Sequence, residues 1–130
     1  MGILNLKPGM RVLDIGCGTG GSAFFMAKNY GVEVLGIDLS DNMLAIANEH
    51  KREMSKEVQH LVSFRFLDAT QALFPPGNFD VVYSRDAIMH IADKEPLYKK
   101  VLVGSKILVL ASKASYVHFL KNLGKCFFAP

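Results

Sequence analysis

Five short runs of apolar and β-branched residues punctuate the chain: Arg11 to Ile15, Glu33 to Ile37, Val62 to Phe66, Phe79 to Tyr83 and Lys106 to Leu110. Each has the length of a strand, and stretches with helical spacing lie between them. Ser22 to Asn29 is apolar on one side and is closed by Gly31. Ser40 and Asp41 suit the start of a helix from Asn42 to about Met54, with Met43, Ile46 and Ala47 facing inward. Asp93 can cap a further helix to about Leu102, where Pro96 in the first turns does little harm. Lys7-Pro8-Gly9 and Phe74-Pro75-Pro76-Gly77-Asn78 read as turns that lead into strands. Strands alternating with helices predict an α/β fold: a parallel sheet with helices on both faces.

Length and charge narrow this picture. A chain of 130 residues can bury one core but holds no second domain of ordinary size. The longest uncharged apolar stretch, Ile107 to Ser112, falls far short of the ~18 residues of a membrane helix. No basic-then-apolar signal region follows Met1, so no membrane span and a cytoplasmic location are expected. Cys17 and Cys126 form neither a metal-ligand spacing nor a disulfide framework, so no metal is expected and both thiols should be reduced. Charge is uneven: all 12 acids precede Pro96, and the segment from Pro96 to Pro130 carries 6 Lys. Those lysines are dispersed and lack arginine, which favours a solvated face over a nucleic-acid site.

The strongest chemical signal is Val12-Leu13-Asp14-Ile15-Gly16-Cys17-Gly18-Thr19-Gly20-Gly21, a strand that ends in glycines and runs into a helix. Such a loop lets backbone N–H groups approach a ligand closely. Gly16, Gly18 and Gly21 fit G-x-G-x-x-G and Asp38 ends the second strand, so by spacing alone a dinucleotide is as good a ligand as any. Asp14 breaks the tie. A carboxylate two residues before the first glycine would repel a pyrophosphate, and it suits the ammonium and sulfonium of S-adenosylmethionine. A third acid, Asp68, closes the third strand and strengthens the pattern.

From about Leu4 to Leu102 the sequence resembles the class I S-adenosylmethionine-dependent methyltransferases, with the motifs in the family's order. The resemblance implies a Rossmann-like core with sheet order 3-2-1-4-5. It implies that Gly16 and Gly18 pass under the methionine part of the cofactor, with Asp14 nearby. Asp38 would take both ribose hydroxyls, Leu39 would line the adenine, and Asp68 with Ala69 would face the adenine amino edge. The chemistry agrees, because an ionised carboxylate accepts two hydroxyl hydrogen bonds well, and open parallel sheets bind ligands at the carboxyl ends of their strands. An N-cap on the next helix is the alternative role for Asp38, one for which Ser40 and Asp41 compete.

Tyr83-Ser84-Arg85-Asp86-Ala87-Ile88-Met89-His90-Ile91, together with Gly31-Val32-Glu33-Val34-Leu35-Gly36-Ile37-Asp38-Leu39-Ser40, is similar to the phosphoethanolamine N-methyltransferases. By that resemblance Arg85 contacts the cofactor, and Asp86 and His90 face the amine substrate. Residues four apart share one helix face. His90 would take the proton that the protonated amine must shed before its lone pair attacks the methyl, and Asp86 would hold the charge in place. His50, His60 and His118 lack such context and read as surface residues.

Three departures from the family bear on activity. Met1 stands only a few residues before the first strand, where the family has an amino-terminal lid. Val103-Gly104-Ser105-Lys106 replaces a Lys-Pro-Gly-Gly turn, and Pro130 precedes the strands that carry the family's phosphate-holding side chains. The division expected is therefore a cofactor-binding core over residues 1–102 and a divergent segment over 103–130, with a substitute fifth strand followed by a helix and the family's last strands missing. Phosphoethanolamine or its methylated forms is the expected substrate, with little activity from this chain alone. A methyltransferase acting on another small molecule, or a non-catalytic cofactor-binding fragment, are the alternatives.

Overall fold

The computed structural model describes residues 6–69, 79–85, 105–111, 116–120 and 125–129. In chain order the elements are β1 (Arg11–Ile15), α1 (Gly21–Tyr30), β2 (Glu33–Asp38), α2 (Asp41–Glu53), α3 (Lys56–Leu61), β3 (Val62–Phe66), β4 (Phe79–Arg85), β5 (Ser105–Ala111), β6 (Tyr116–Leu120) and β7 (Lys125–Ala129). They build one sheet in the order β3-β2-β1-β4-β5-β6-β7. The first five strands are parallel, in the order that the motifs predict, and β6 and β7 are antiparallel.

The register explains why the β-branched runs form strands here. Val62, Val34, Val12 and Val81 stand side by side across β3, β2, β1 and β4. All four are buried against Ala23, Phe24, Met26 and Ala27 of α1 and Val58 of α3. Each such valine contributes about 1.5–3 kcal/mol through burial. Two residues further along, the same face carries Phe64, Gly36, Asp14 and Tyr83 in a second row. The core therefore ends on a row that contains an acid and a glycine, and this row is the floor of the site.

Helix boundaries follow their caps. Ser40 Oγ accepts a hydrogen bond from the Met43 N–H at 3.3 Å and starts α2. α1 ends at Gly31, whose φ of 67° lets its N–H reach the Ala27 carbonyl at 3.0 Å. Lys7-Pro8-Gly9 is a turn closed by the Met10 N–H on the Lys7 carbonyl at 3.1 Å. Predicted strand ends move outward by at most two residues.

Three expectations are corrected. The inward face of α2 is Leu44 and Ala47, and Met43 and Ile46 are 44% and 39% exposed. α2 packs mainly on β3, the edge strand, so only a narrow seam of the helix finds sheet beneath it. α3 was not expected: six residues are too few for periodicity to show, although Ser55 Oγ caps it by accepting from the Val58 N–H at 3.4 Å. After β5, strands stand where a helix was anticipated. Only four residues separate β5 from β6, enough for a hairpin and too few for a helical crossover. Tyr116-Val117-His118-Phe119-Leu120 also favours a strand by composition. The anticipated helix from Asp93 and the turn from Phe74 to Asn78 lie outside the described residues.

Candidate functional site

At the carboxyl end of β1 the chain turns through Gly16, Gly18 and Gly20, with φ of 73°, 57° and 92°. These left-handed values favour glycine and allow a turn tight enough to enter α1 directly. The Gly16 and Cys17 N–H groups both donate to the Ile37 carbonyl, at 2.8 and 3.1 Å, and tie the loop to the end of β2. The tie continues through a side chain. Asp38 Oδ2 accepts from the Gly18 N–H at 2.7 Å and Oδ1 accepts from the Ser40 N–H at 2.9 Å. Asp38 thus locks the glycine loop to the start of α2, and the N-cap role falls to Ser40.

Two glycines make room for this loop from below. A Cβ on Gly36 would lie 2.8 Å from the Phe64 ring and 2.9 Å from both Cβ and Sγ of Cys17. A Cβ on Gly20 would lie 2.7 Å from the Phe24 ring and 2.8 Å from that of Phe64. The Phe64 ring, edge-on to Phe24 at 5.5 Å, is the surface on which the loop rests. Because Gly20 is the N-cap of α1, no side chain caps that helix.

Asp14 lies beneath the loop, in register with Gly36 on one side and Tyr83 on the other. It is 1% exposed, and among the described residues its Oδ2 has no hydrogen-bond partner. Burial, and next the Asp38 charge, push its carboxyl up to about 8. Burial thus favours the neutral acid over the carboxylate pictured from sequence. Burial, with Asp14 and Asp38, pushes the Cys17 thiol up to about 12 and makes it a poor nucleophile.

The other described positions that the sequence singled out gather at the same sheet end. Leu39 follows Asp38 and is 60% exposed. The Leu67 N–H donates to the Asp38 carbonyl at 3.2 Å, which brings Asp68 and the buried Ala69 to the rim beside β2. Arg85 ends β4, in register with Ala111 of β5. Asp86 and His90 lie outside the described residues. His50 is exposed as expected, with Nδ1 3.4 Å from the Thr19 carbonyl of the loop. Sequence reasoning missed Phe64 and Gly36. Only the pairing of β2 with β3 reveals them, although the lone glycine inside a β-branched run was a signal for close approach. Among the described residues no group of three His, Cys, Asp or Glu could hold a metal ion, and no helix is long and apolar enough to cross a membrane.

A glycine loop bonded to an acid at the end of the second strand, in a sheet of this order, has close counterparts. A family model described as a methyltransferase domain matches residues 6–119. The chain belongs to this methyltransferase family. Among curated relatives, phosphoethanolamine N-methyltransferase 3 of Arabidopsis thaliana is 47% identical over 111 residues, covering 82% of this chain and 22% of the relative. Phosphoethanolamine N-methyltransferase 2 of Caenorhabditis elegans is 41% identical over 137 residues, covering 92% of this chain and 31% of the relative. The chain thus spans between about a fifth and a third of these methyltransferases. A solved structure of Haemonchus contortus phosphoethanolamine N-methyltransferase 2 in complex with S-adenosyl-L-methionine is also similar, at 38% identity and a TM-score of 0.74. That match covers 81% of this chain and 24% of the other.

Proposed function

We propose that the chain is the S-adenosylmethionine-binding core of a phosphoethanolamine N-methyltransferase, an enzyme of phosphocholine formation in the cytoplasm. The observation that carries the reading is the buried Asp14 carboxyl, with an oxygen that lacks a partner, under a loop of backbone N–H groups held by Asp38. An orphaned buried acid is costly unless a ligand partners it, and the donor chemistry fits this cofactor.

When bound, S-adenosylmethionine supplies an electrophilic methyl on a sulfonium. The chain's own residues hold it. A carboxylate has about four acceptor positions, and Asp38 spends two on the Gly18 and Ser40 N–H groups. The remaining two suit a pair of ribose hydroxyls. Leu39 offers apolar surface to adenine, Asp68 and Ala69 serve its amino edge, and Arg85 contacts the cofactor from the end of β4. Gly16 and Gly18 keep the backbone close to the methionine part, with Asp14 below. His90 removes the amine proton and Asp86 steadies the resulting charge. The rate then comes largely from holding amine and methyl in line. The partner is the small amine, and no nucleic acid is involved.

Titration calorimetry with S-adenosylmethionine and with NAD tests the cofactor assignment, the expected result being heat from the first alone. NAD binding without S-adenosylmethionine binding would overturn it. Phosphoethanolamine added to the loaded chain then tests the acceptor. A second acceptor class has specific support: the 2-methyl-6-phytyl-1,4-hydroquinone methyltransferase of a Synechocystis strain is 40% identical over 101 residues, covering 78% of this chain. If heat appears with a quinol acceptor in place of phosphoethanolamine, that reading replaces the first.

A further inference from the structure

We infer that Asp14 exchanges its proton for the positive charge of the ligand: it is neutral in the free chain and ionised in the complex, so binding releases one proton and selects cationic ligands. The inference rests on the S-adenosylmethionine reading and adds to it the charge state of the site.

The geometry carries it. Asp14 sits in the last row of the core, between Gly36, which contributes no side chain, and Tyr83. Strand alternation places Asp38, two residues beyond Gly36, on the same face. Cys17 fills the space over Gly36 from the loop. Among the described side chains the titratable groups that face Asp14 are therefore Asp38 from β2, Cys17 from the loop and Tyr83 from β4, none of which brings a positive charge, and the next charged position on β4 is Arg85, two residues beyond Tyr83. Water is excluded, since the residue is 1% exposed, and among the described residues Oδ2 has no donor. Burial and the Asp38 charge accordingly keep the acid protonated to about pH 8.

A cation entering beside Oδ2 reverses this balance. The carboxyl O–H breaks, the proton passes to solvent, and the carboxylate pairs with the ligand's ammonium or sulfonium. A pyrophosphate offers no such exchange and leaves the acid protonated. Discrimination against a pyrophosphate therefore comes from a gain that only a cation beside Oδ2 obtains, and it grows as pH rises toward 8. Direct repulsion by a permanent carboxylate is not required.

Titration calorimetry of the full chain with S-adenosylmethionine, from about pH 6 to about pH 9, decides the matter. Affinity is expected to rise by up to about tenfold per pH unit and to level off near pH 8, as one-proton linkage requires. Binding heats in phosphate and in Tris, which differ in ionisation heat, should report close to one proton released at neutral pH. The Asp14→Asn chain mimics the protonated acid in shape and should lose the slope and the release. Titration of the ligand's own ammonium is common to both chains, so the difference isolates Asp14. S-adenosylhomocysteine keeps the ammonium and lacks the sulfonium charge. A slope with both ligands assigns the exchange to the ammonium, and a slope with S-adenosylmethionine alone assigns it to the sulfonium. Binding that is independent of pH, with no buffer difference, overturns the inference while sparing the cofactor reading. If the Asn chain fails to fold, the buffer comparison on the native chain at about pH 6, where the ligand's ammonium is fully protonated both free and bound, still decides. No binding at any pH would overturn both.

Discussion

Asp38 and Asp14 stand at the ends of adjacent strands, on one face of one sheet, and their surroundings differ in every respect. Asp38 is at the rim, and two backbone N–H groups donate to it, one from the glycine loop and one from the start of α2. Asp14 is one row deeper and dry, with an oxygen that finds no partner among the described residues. A displacement of one row along the strands turns an architectural carboxylate into a reserve of unsatisfied polarity. The rim acid assembles the loop, and the deep acid lies beneath it with burial holding its carboxyl above the usual range.

Asp38→Ala should produce the largest effect, because it removes the Gly18 tie as well as the acceptors proposed for the ribose. Hydrogen bonds to a charged group are worth about 1.5–3 kcal/mol each, so S-adenosylmethionine affinity should fall at least about tenfold by calorimetry. A change below twofold would break the contrast, since the rim acid would then be dispensable.

Gly36→Ala tests the floor that separates the two acids. The new methyl meets the Phe64 ring and Cys17 at 2.8 and 2.9 Å, and overpacking of this kind costs about 1–3 kcal/mol. A lower melting temperature is expected, with partial recovery in the Gly36→Ala, Phe64→Leu double variant. Failure of the second change to restore any stability would remove Phe64 from this role.

The deep acid should also set a pH dependence of folding. Its folded value, about 8, lies above its unfolded value of 3.8, so the native state holds a proton that the unfolded state has lost. The stability it confers is fully present below about pH 4, declines as pH rises, and is gone above about 8. The slope is at most about 1.4 kcal/mol per pH unit. Denaturant midpoints of the native and Asp14→Asn chains should diverge along this course. Parallel curves would show that Asp14 is ionised when folded.

Met43→Ala should do least. Its side chain is 44% exposed on α2, outside the Leu44 and Ala47 seam, so stability should move by no more than about 0.5 kcal/mol. A loss as large as that from Leu44→Ala would reinstate the inward face expected from periodicity.

This contrast also marks how far the sequence could be read. The parallel strand order was legible because short apolar runs alternate with helical stretches, and the loop was legible because positive φ demands glycine at Gly16, Gly18 and Gly20. The charge of Asp14 was not, since desolvation depends on packing contributed by β2, β4 and the loop together. Gly36 acquires its meaning from Phe64, 28 residues away on another strand. The strands β6 and β7 were hidden because lysines interrupt that segment without setting a clear period. Asp86 and His90 stand out by their spacing of four and by resemblance, and both residues lie outside the described ones.

The sheet order has a consequence in time. β1 lies between β2 and β4, and its Arg11 N–H donates to Asp80, 69 residues further along the chain. During synthesis β1, β2 and β3 can pair and enclose the glycine loop while one flank of β1 still presents an unsatisfied ladder of backbone groups. Long-range parallel pairing of this kind is slow, and open strand flanks invite pairing with other nascent chains. The strand that carries Asp14 is thus the most exposed to misassembly until Val81 and Tyr83 emerge from the ribosome and close over it.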